Sequence, residues 1–212
     1  MEKETGRIEA FSDGIFSVAI TLLALEIGIK EMPEGHINDA NFWHEILALW
    51  PKFFAYFNSF ASVLLMWMSH HKIFRLLRGT NTYIILANGF LLLITALVPF
   101  PVKTVGEYIQ TDAASAAIIF YNGYSVLMCF GFWLLSYTIL KNKQYLLPGK
   151  LPLKLIQESY RGIFIGLLCT IVIVGVAFLF PYSSLVLNFG MWVFWAFLSH
   201  SSEEGKVYSD PA

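Results

Sequence analysis

Long, uninterrupted apolar runs limit what this chain can fold into. Runs of about 20 residues, the length that crosses a bilayer as an α-helix, lie at residues 8–29, 50–70, 82–101, 113–140, 160–180 and 183–200. Of the 212 residues, 57% are hydrophobic and 14% are charged, which is far from the composition of a soluble domain. The pattern predicts an all-α membrane protein with six transmembrane helices, because a membrane β-barrel would show alternating segments of about ten residues.

Basic residues in the loops predict how these helices are oriented. Cytoplasmic loops carry an excess of Lys and Arg, and the loop after the second run contains Lys72, Arg75 and Arg78. A second basic cluster lies between residues 141 and 161, whereas the loop after the first run is acidic. We therefore expect both termini to be cytoplasmic, with a membrane domain over residues 1–201 and a polar tail over 202–212. The net charge of −1 gives no indication of a nucleic-acid partner.

The first apolar run begins with polar and ionisable residues that lipid cannot satisfy. Arg7, Ser12 and Asp13 lie at its cytoplasmic end, and ionisable groups within a membrane are costly unless they have partners. Candidate partners at the same predicted depth occur in the second and third runs: Trp67, His70, His71 and Asn88. We predict a structural network of eight side chains, made of these seven and Phe11, with Asp13 as an anchor rather than an ion site.

A set of apolar residues on helix one lies on a different face from Asp13. At 100° per residue, Val18, Leu22 and Leu25 lie about 120–180° from Asp13 and form one stripe, with Thr21 at about 80°. The stripe and the polar residues should therefore face different neighbours. Contact with lipid or with the protein core is the alternative explanation for the stripe.

Three stretches of the chain carry a family resemblance. The motif Arg7-x-x-x-Phe11-Ser12-Asp13 at the start of the first run, the stretch 67–75 and the stretch 97–108 together closely resemble the bacterial members of the endolysosomal potassium channel family. The resemblance implies a potassium-preferring cation channel in the bacterial inner membrane, with K⁺ and other monovalent cations as permeant ions. It also implies a homotetramer in which the first helices line a central pore. The chain lacks the Thr-Val-Gly-Tyr-Gly filter of tetrameric potassium channels.

The resemblance also implies roles for single residues. Val18, Leu22 and Leu25 correspond to an apolar pore constriction, and Thr21 to a threonine that influences selectivity. Val18 stands where the family usually has Ile or Leu, so we expect Leu22 or Leu25 to form the tighter ring and the preference for potassium to be weak. Glu26 lies near the predicted outer mouth, where it would concentrate cations, although a solvated acidic loop is the alternative.

Other function classes find less support in the sequence. A secondary cation transporter needs charged groups near the middle of the membrane, yet no acidic residue after Asp13 lies at the centre of a run. A proton-conducting channel stays open as an alternative. An enzyme is not expected, because Ser69 beside His70 does not make a catalytic dyad by adjacency alone. No metal or cofactor is expected either, since His70 and His71 point about 100° apart on a helix.

Overall fold

The structure is a bundle of helices. The computed structural model describes residues 2–25, 27–28 and 38–201. Its helices are α1 (Glu2–Leu25), α2 (Asp39–Ala48), α3 (Trp50–Phe74), α4 (Thr82–Ala96), α5 (Pro99–Tyr108), α6 (Ala114–Lys141), a 3₁₀ turn (Lys143–Tyr145), α7 (Lys150–Leu179) and α8 (Pro181–Ser201). Over the described residues there is no β-strand, and the prediction of an all-α chain is confirmed. The predicted tail, 202–212, lies outside the described residues.

Several of these helices are suited to a membrane. Four segments of the described chain are long and apolar enough to cross one: Thr5–Leu25, Thr82–Tyr108, Ala114–Lys141 and Lys150–Leu179. The predicted runs 50–70 and 183–200 lie within α3 and α8. Neither is among the four segments, and α3 carries the buried polar residues Asn58, Ser59 and His70. The total of six spans therefore stays a prediction.

The third predicted run, 82–101, is divided between two helices. Helix α4 ends at Ala96, and α5 starts directly at Pro99 after a two-residue break. Pro at the first helical position loses no hydrogen bond that the helix could have made. Helix α5 continues to Tyr108, with Val102 and Val105 buried. Helix α5 packs against α3 and α6.

Helix α1 lies at one side of this bundle. It packs against α3, α4 and α5, whereas α6 packs against α4, α5, α7 and α8. The largest buried side chains come from α1, α3, α4, α6 and α7: Phe16, Leu23, Phe74, Ile84, Leu91, Ile118, Met128, Leu135, Ile139 and Ile156. Because α1 has neighbours on one side only, the rest of its surface is left uncovered in the single subunit.

A close crossing of α4 and α6 depends on Gly131. A Cβ atom at this position would lie 3.1 Å from Leu91 Cδ1 and 3.6 Å from Leu91 Cα. Gly123, on the same helix, has open space around the equivalent position. The missing side chain at Gly131 therefore allows the two helices to approach, as small residues commonly do in membrane proteins.

We predict that Gly131→Leu destabilises the fold and that Gly123→Leu does not. Overpacking a tight crossing costs about 1–3 kcal/mol, because α4 must move away from α6. Thermal unfolding of the purified protein in detergent, followed by size-exclusion chromatography, measures the difference. Equal midpoints for the two variants would contradict the close crossing.

Candidate functional site

Helix α1 has two faces with different surroundings. One face is buried in the bundle and consists of Ser12, Phe16, Ala19 and Leu23. The other carries Val18, Leu22 and Leu25, which are 55%, 40% and 76% exposed. At 100° per residue the two sets point about 120° apart. The predicted stripe is therefore the face of α1 that the subunit leaves uncovered.

The buried face of α1 is tied to α3 and α4 by a chain of hydrogen bonds. His70 Nε2 donates to Asn88 Oδ1 at 2.8 Å, and Asn88 Nδ2 donates to Ser12 Oγ at 3.0 Å. The Ser12 hydroxyl in turn donates to the carbonyl of Ile8 at 2.8 Å. Each of the three side chains is at most 2% exposed. Since the Ser12 proton is committed to Ile8, its oxygen must accept from Asn88, and this requirement orients the Asn88 amide and the His70 tautomer.

Asp13 makes a separate contact to α3. Trp67 Nε1 donates to Asp13 Oδ1 at 2.8 Å. The Trp67 ring also stacks on His71, with 6.0 Å between ring centroids. His71 Nδ1 lies 2.6 Å from Glu9 Oε1. Two carboxylates of α1 therefore meet one face of α3 through Trp67 and His71, about one helical turn apart.

The structure places the other two motif residues away from these bonds. Arg7 and Phe11 are exposed in the single subunit, Phe11 by 66%. The predicted outer-mouth residue, Glu26, lies outside the described residues. Of the eight side chains in the predicted network, the structure therefore joins six to one another or to α1 and leaves Arg7 and Phe11 on the surface.

Two residues of this region were not predicted from the sequence. Glu9 was not assigned a partner, although its charge near the start of an apolar run calls for one as much as that of Asp13. Phe16 packs against His70, with 5.4 Å between ring centroids. An aromatic residue in an apolar helix has no charge that requires a partner, so only the structure could identify Phe16 as a neighbour of His70.

The uncovered face of α1 borders a groove of about 430 Å³. Its lining is apolar or small: Ala10, Phe11, Gly14, Ile15, Val18, Ala19, Leu22 and Ala96. Thr21 lies on the same exposed side, and its hydroxyl donates to the carbonyls of Val18 at 2.9 Å and Ser17 at 3.1 Å. The Thr21 oxygen consequently keeps a lone pair that can accept from water or bind a cation.

The opposite end of α1 is held by a lysine. Lys52 Nζ, at the start of α3, donates to the carbonyl of Gly28 at 3.0 Å. The stem of Lys52 packs on Gly106 of α5, where a Cβ atom would lie 3.2 Å from Lys52 Cγ. The segment that follows α1 is therefore anchored to α3, just as the start of α1 is.

A solved structure shares this architecture over nearly the whole chain. The crystal structure of a lysosomal potassium-selective channel TMEM175 homolog from Chamaesiphon minutus matches with a TM-score of 0.81 and 31% sequence identity. The match covers 93% of this chain and 98% of that one. A family model described as "Endosomal/lysosomal potassium channel TMEM175" matches residues 7–99, which include α1 from Arg7 onwards and all of α3 and α4. The chain belongs to the TMEM175 family.

Curated members of the TMEM175 family carry two kinds of name. A potassium channel of Chamaesiphon minutus is 43% identical over 122 residues, which cover 58% of this chain and 59% of that protein. An endosomal/lysosomal proton channel TMEM175 of Bos taurus is 31% identical over 125 residues, 54% of this chain and 26% of that protein. The matched stretches thus span less than two thirds of either relative.

Membership in the TMEM175 family confirms the resemblance seen in the sequence. The family is one of ion channels rather than enzymes. Together with the apolar helices, it makes this chain a multi-pass membrane protein.

We predict that Asn88→Leu destabilises the protein more than Thr95→Val, on the same helix. Leucine leaves His70 Nε2 and Ser12 Oγ without their partner, at about 1–3 kcal/mol for each buried group. The Thr95 hydroxyl bonds only to the carbonyl of Leu91 in its own helix, so its removal isolates nothing on α1 or α3. Thermal unfolding in detergent checks the order, and an Asn88→Leu protein as stable as Thr95→Val would refute the role of the hydrogen-bonded chain.

Proposed function

We propose that this protein is a potassium-preferring cation channel in which four copies surround a pore lined by α1. The observation that carries the proposal is the division of α1 into a face clamped in the bundle and an uncovered face with Val18, Leu22 and Leu25. A fixed helix with one free face is what a shared pore requires of each subunit. The potassium-selective channel of similar fold supports the same function.

Small residues favour contact of α1 with another helix. Ala10 and Gly14 stand four residues apart at the groove, next to Ala96 of α4. This spacing of small residues lets membrane helices approach closely, whereas a surface that meets only lipid needs no such pattern. We propose that a second copy of the chain packs at the groove, with both termini cytoplasmic and six spans in each subunit.

The proposed constriction works by excluding water. Rings of Val18, Leu22 and Leu25 would surround a narrow path without polar groups, and apolar constrictions block ions when water leaves them. Val18 has the smallest of these three side chains, so the Leu22 or Leu25 ring would be the tighter one. Glu26, beyond Leu25, would raise the local concentration of cations at the outer mouth.

The hydrogen-bonded residues hold this pore helix in place. The rotation of α1 against α3 and α4 is set by two groups of hydrogen bonds. One joins Ser12, Asn88 and His70, and the other joins Asp13 to Trp67. If α1 turned by one residue, about 100°, these bonds would break and the stripe would leave the pore. In this proposal, Arg7 and Phe11 lie where neighbouring subunits meet.

Proton conduction is the second candidate. It is favoured by the name of the Bos taurus relative, an endosomal/lysosomal proton channel. Parallel K⁺, Na⁺ and H⁺ flux measurements on the full chain in liposomes separate the candidates. Passive K⁺ flux above Na⁺ flux supports the first, H⁺ flux alone supports the second, and flux of one ion that depends on a gradient of another supports a secondary transporter.

We predict that Leu22→Ser raises the resting K⁺ flux. A serine ring keeps water in the constriction, and lowering the barrier by about 1.4 kcal/mol raises the flux about tenfold. Liposomes loaded with K⁺ and read with a fluorescent flux indicator measure the change. Leu25→Ser should act in the same direction if the outer ring contributes.

The control for these variants is Val186→Ser on α8. Val186 is 69% exposed. Its helix, α8, packs mainly against α3, α6 and α7 rather than against the proposed pore helix α1. Its flux should equal that of the wild type. Wild-type flux in both leucine variants, with the protein still folded, argues that the stripe faces lipid instead of a pore.

Replacing the Thr21 hydroxyl should change selectivity. In Thr21→Val the shape is kept while the exposed oxygen is lost, so we expect the ratio of K⁺ to Na⁺ flux to fall. Thr21→Ser keeps the oxygen and serves as the matched control. The ratio is measured from reversal potentials in planar bilayers, and an unchanged ratio in Thr21→Val would remove Thr21 from the selectivity mechanism.

A further inference from the structure

Two basic loops are joined at the cytoplasmic end of the bundle. The loop between α3 and α4 and the loop between α6 and α7 meet at the antiparallel bridge of Leu77 and Leu146. The Leu147 amide donates to the Leu76 carbonyl at 2.8 Å, and the Arg78 amide donates to the Tyr145 carbonyl at 2.8 Å. A side-chain bond from Asn81 Nδ2 to Asn142 Oδ1, also 2.8 Å, lies beside the bridge. The loops therefore form one platform, which we call the loop platform, over residues 75–81 and 141–147.

The loop platform concentrates positive charge. It exposes four basic side chains: Arg75, Arg78, Lys141 and Lys143. The sequence has no Asp or Glu from residue 46 to 106 or from 113 to 157. The acidic residue that α1 brings close to the end of α3, Glu9, is already paired with His71. No carboxylate within either loop thus neutralises the platform.

One of these cations is held in position. Arg78 Nε donates to the carbonyl of Gln144 at 2.9 Å, which joins its side chain to the opposite loop. This bond uses one donor of the guanidinium, and the two terminal NH₂ groups stay available on an exposed side chain. These two NH₂ groups lie in one plane and can bind two phosphate oxygens at once, which the flexible ammonium group of a lysine cannot do with the same geometry.

Aromatic residues indicate the depth of the platform. Tyr83, at the start of α4, is 70% exposed, and Tyr137 of α6 is 39% exposed. Lys141 Nζ lies 5.5 Å from the centroid of the Tyr137 ring. Exposed tyrosines concentrate at the level of the lipid headgroups, so Lys141 and the loops that follow it lie where headgroup phosphates are found.

We propose that the loop platform binds the phosphate of an anionic phospholipid in the cytoplasmic leaflet, with Arg78 and Lys143 as the main contacts. Charge complementarity identifies the occupant, because a cluster of four cations next to membrane helices attracts anionic headgroups. The bound lipid bridges the α3–α4 loop and the α6–α7 loop. Since α3 and α4 carry His70 and Asn88, the lipid also strengthens the frame that holds α1.

A binding measurement tests this proposal without depending on channel activity. The full chain in a nonionic detergent is titrated with dioctanoyl phosphatidylglycerol or dioctanoyl phosphatidylcholine, and bound lipid is counted by native mass spectrometry. We expect phosphatidylglycerol to bind and phosphatidylcholine not to. Arg78→Gln and Lys143→Gln should each weaken phosphatidylglycerol binding about fivefold, and added salt should weaken it further.

The matched control is Lys154→Gln, which removes one charge outside the platform. Lys154 already has Glu158 at 3.8 Å, so lipid binding should keep its wild-type strength. Lys143 is exposed on a 3₁₀ turn, and its variant therefore tests the site even if Arg78→Gln fails to fold. Equal binding of both lipids, or wild-type binding by Lys143→Gln, would overturn the proposal. Competition by inorganic phosphate at the lipid concentration would overturn it in favour of a free-anion site.

Discussion

Buried polar groups in an apolar bundle must find partners, and this requirement organises the structure around Asn88. Its amide has a donor end and an acceptor end, which bind Ser12 of α1 and His70 of α3. Three helices meet at this single side chain. An unpaired polar group at such a position would lower the free energy of unfolding by a sizeable fraction of its typical value. These bonds therefore restrict the mutual rotation of α1, α3 and α4, because turning any one of the helices would leave a buried polar group unpaired.

The restricted rotation has a consequence on the other side of α1. With Ser12, Phe16 and Leu23 turned into the bundle, Val18 and Leu22 must be turned out of it. Both faces are apolar, so hydrophobicity alone does not distinguish the side that packs from the side that a pore would use. The distinction comes from polar anchors at one end and small residues along the groove. Proposed conduction and observed packing thus depend on the same helical register.

Among the described residues, the polar contacts of α1 to other helices lie in its N-terminal half. In that half, Asp13 and Glu9 meet Trp67 and His71, and beyond α1 the carbonyl of Gly28 accepts from Lys52. The proposed lipid site lies at the same end of the bundle, on loops that continue directly from α3 and into α4. A movement of these loops would be transmitted to α1 through the residues of α3 and α4 that orient it. The stretch of α1 with the proposed constriction contacts its own subunit mainly through Phe16, Ala19 and Leu23.

Run lengths and charge patterns were enough to determine from the sequence that this is a helical membrane protein, because lipid demands about 20 apolar residues per span and internal backbone hydrogen bonds. The motif from Arg7 to Asp13, taken together with the stretches 67–75 and 97–108, also indicated the family. Tertiary structure alone decided that Asn88 joins Ser12 to His70 by hydrogen bonds, that Glu9 pairs with His71, and that a new helix, α5, begins at Pro99. The physical reason is that periodicity gives the angles within one helix, while the rotation of each helix against its neighbours follows from side-chain contacts between segments far apart in the chain.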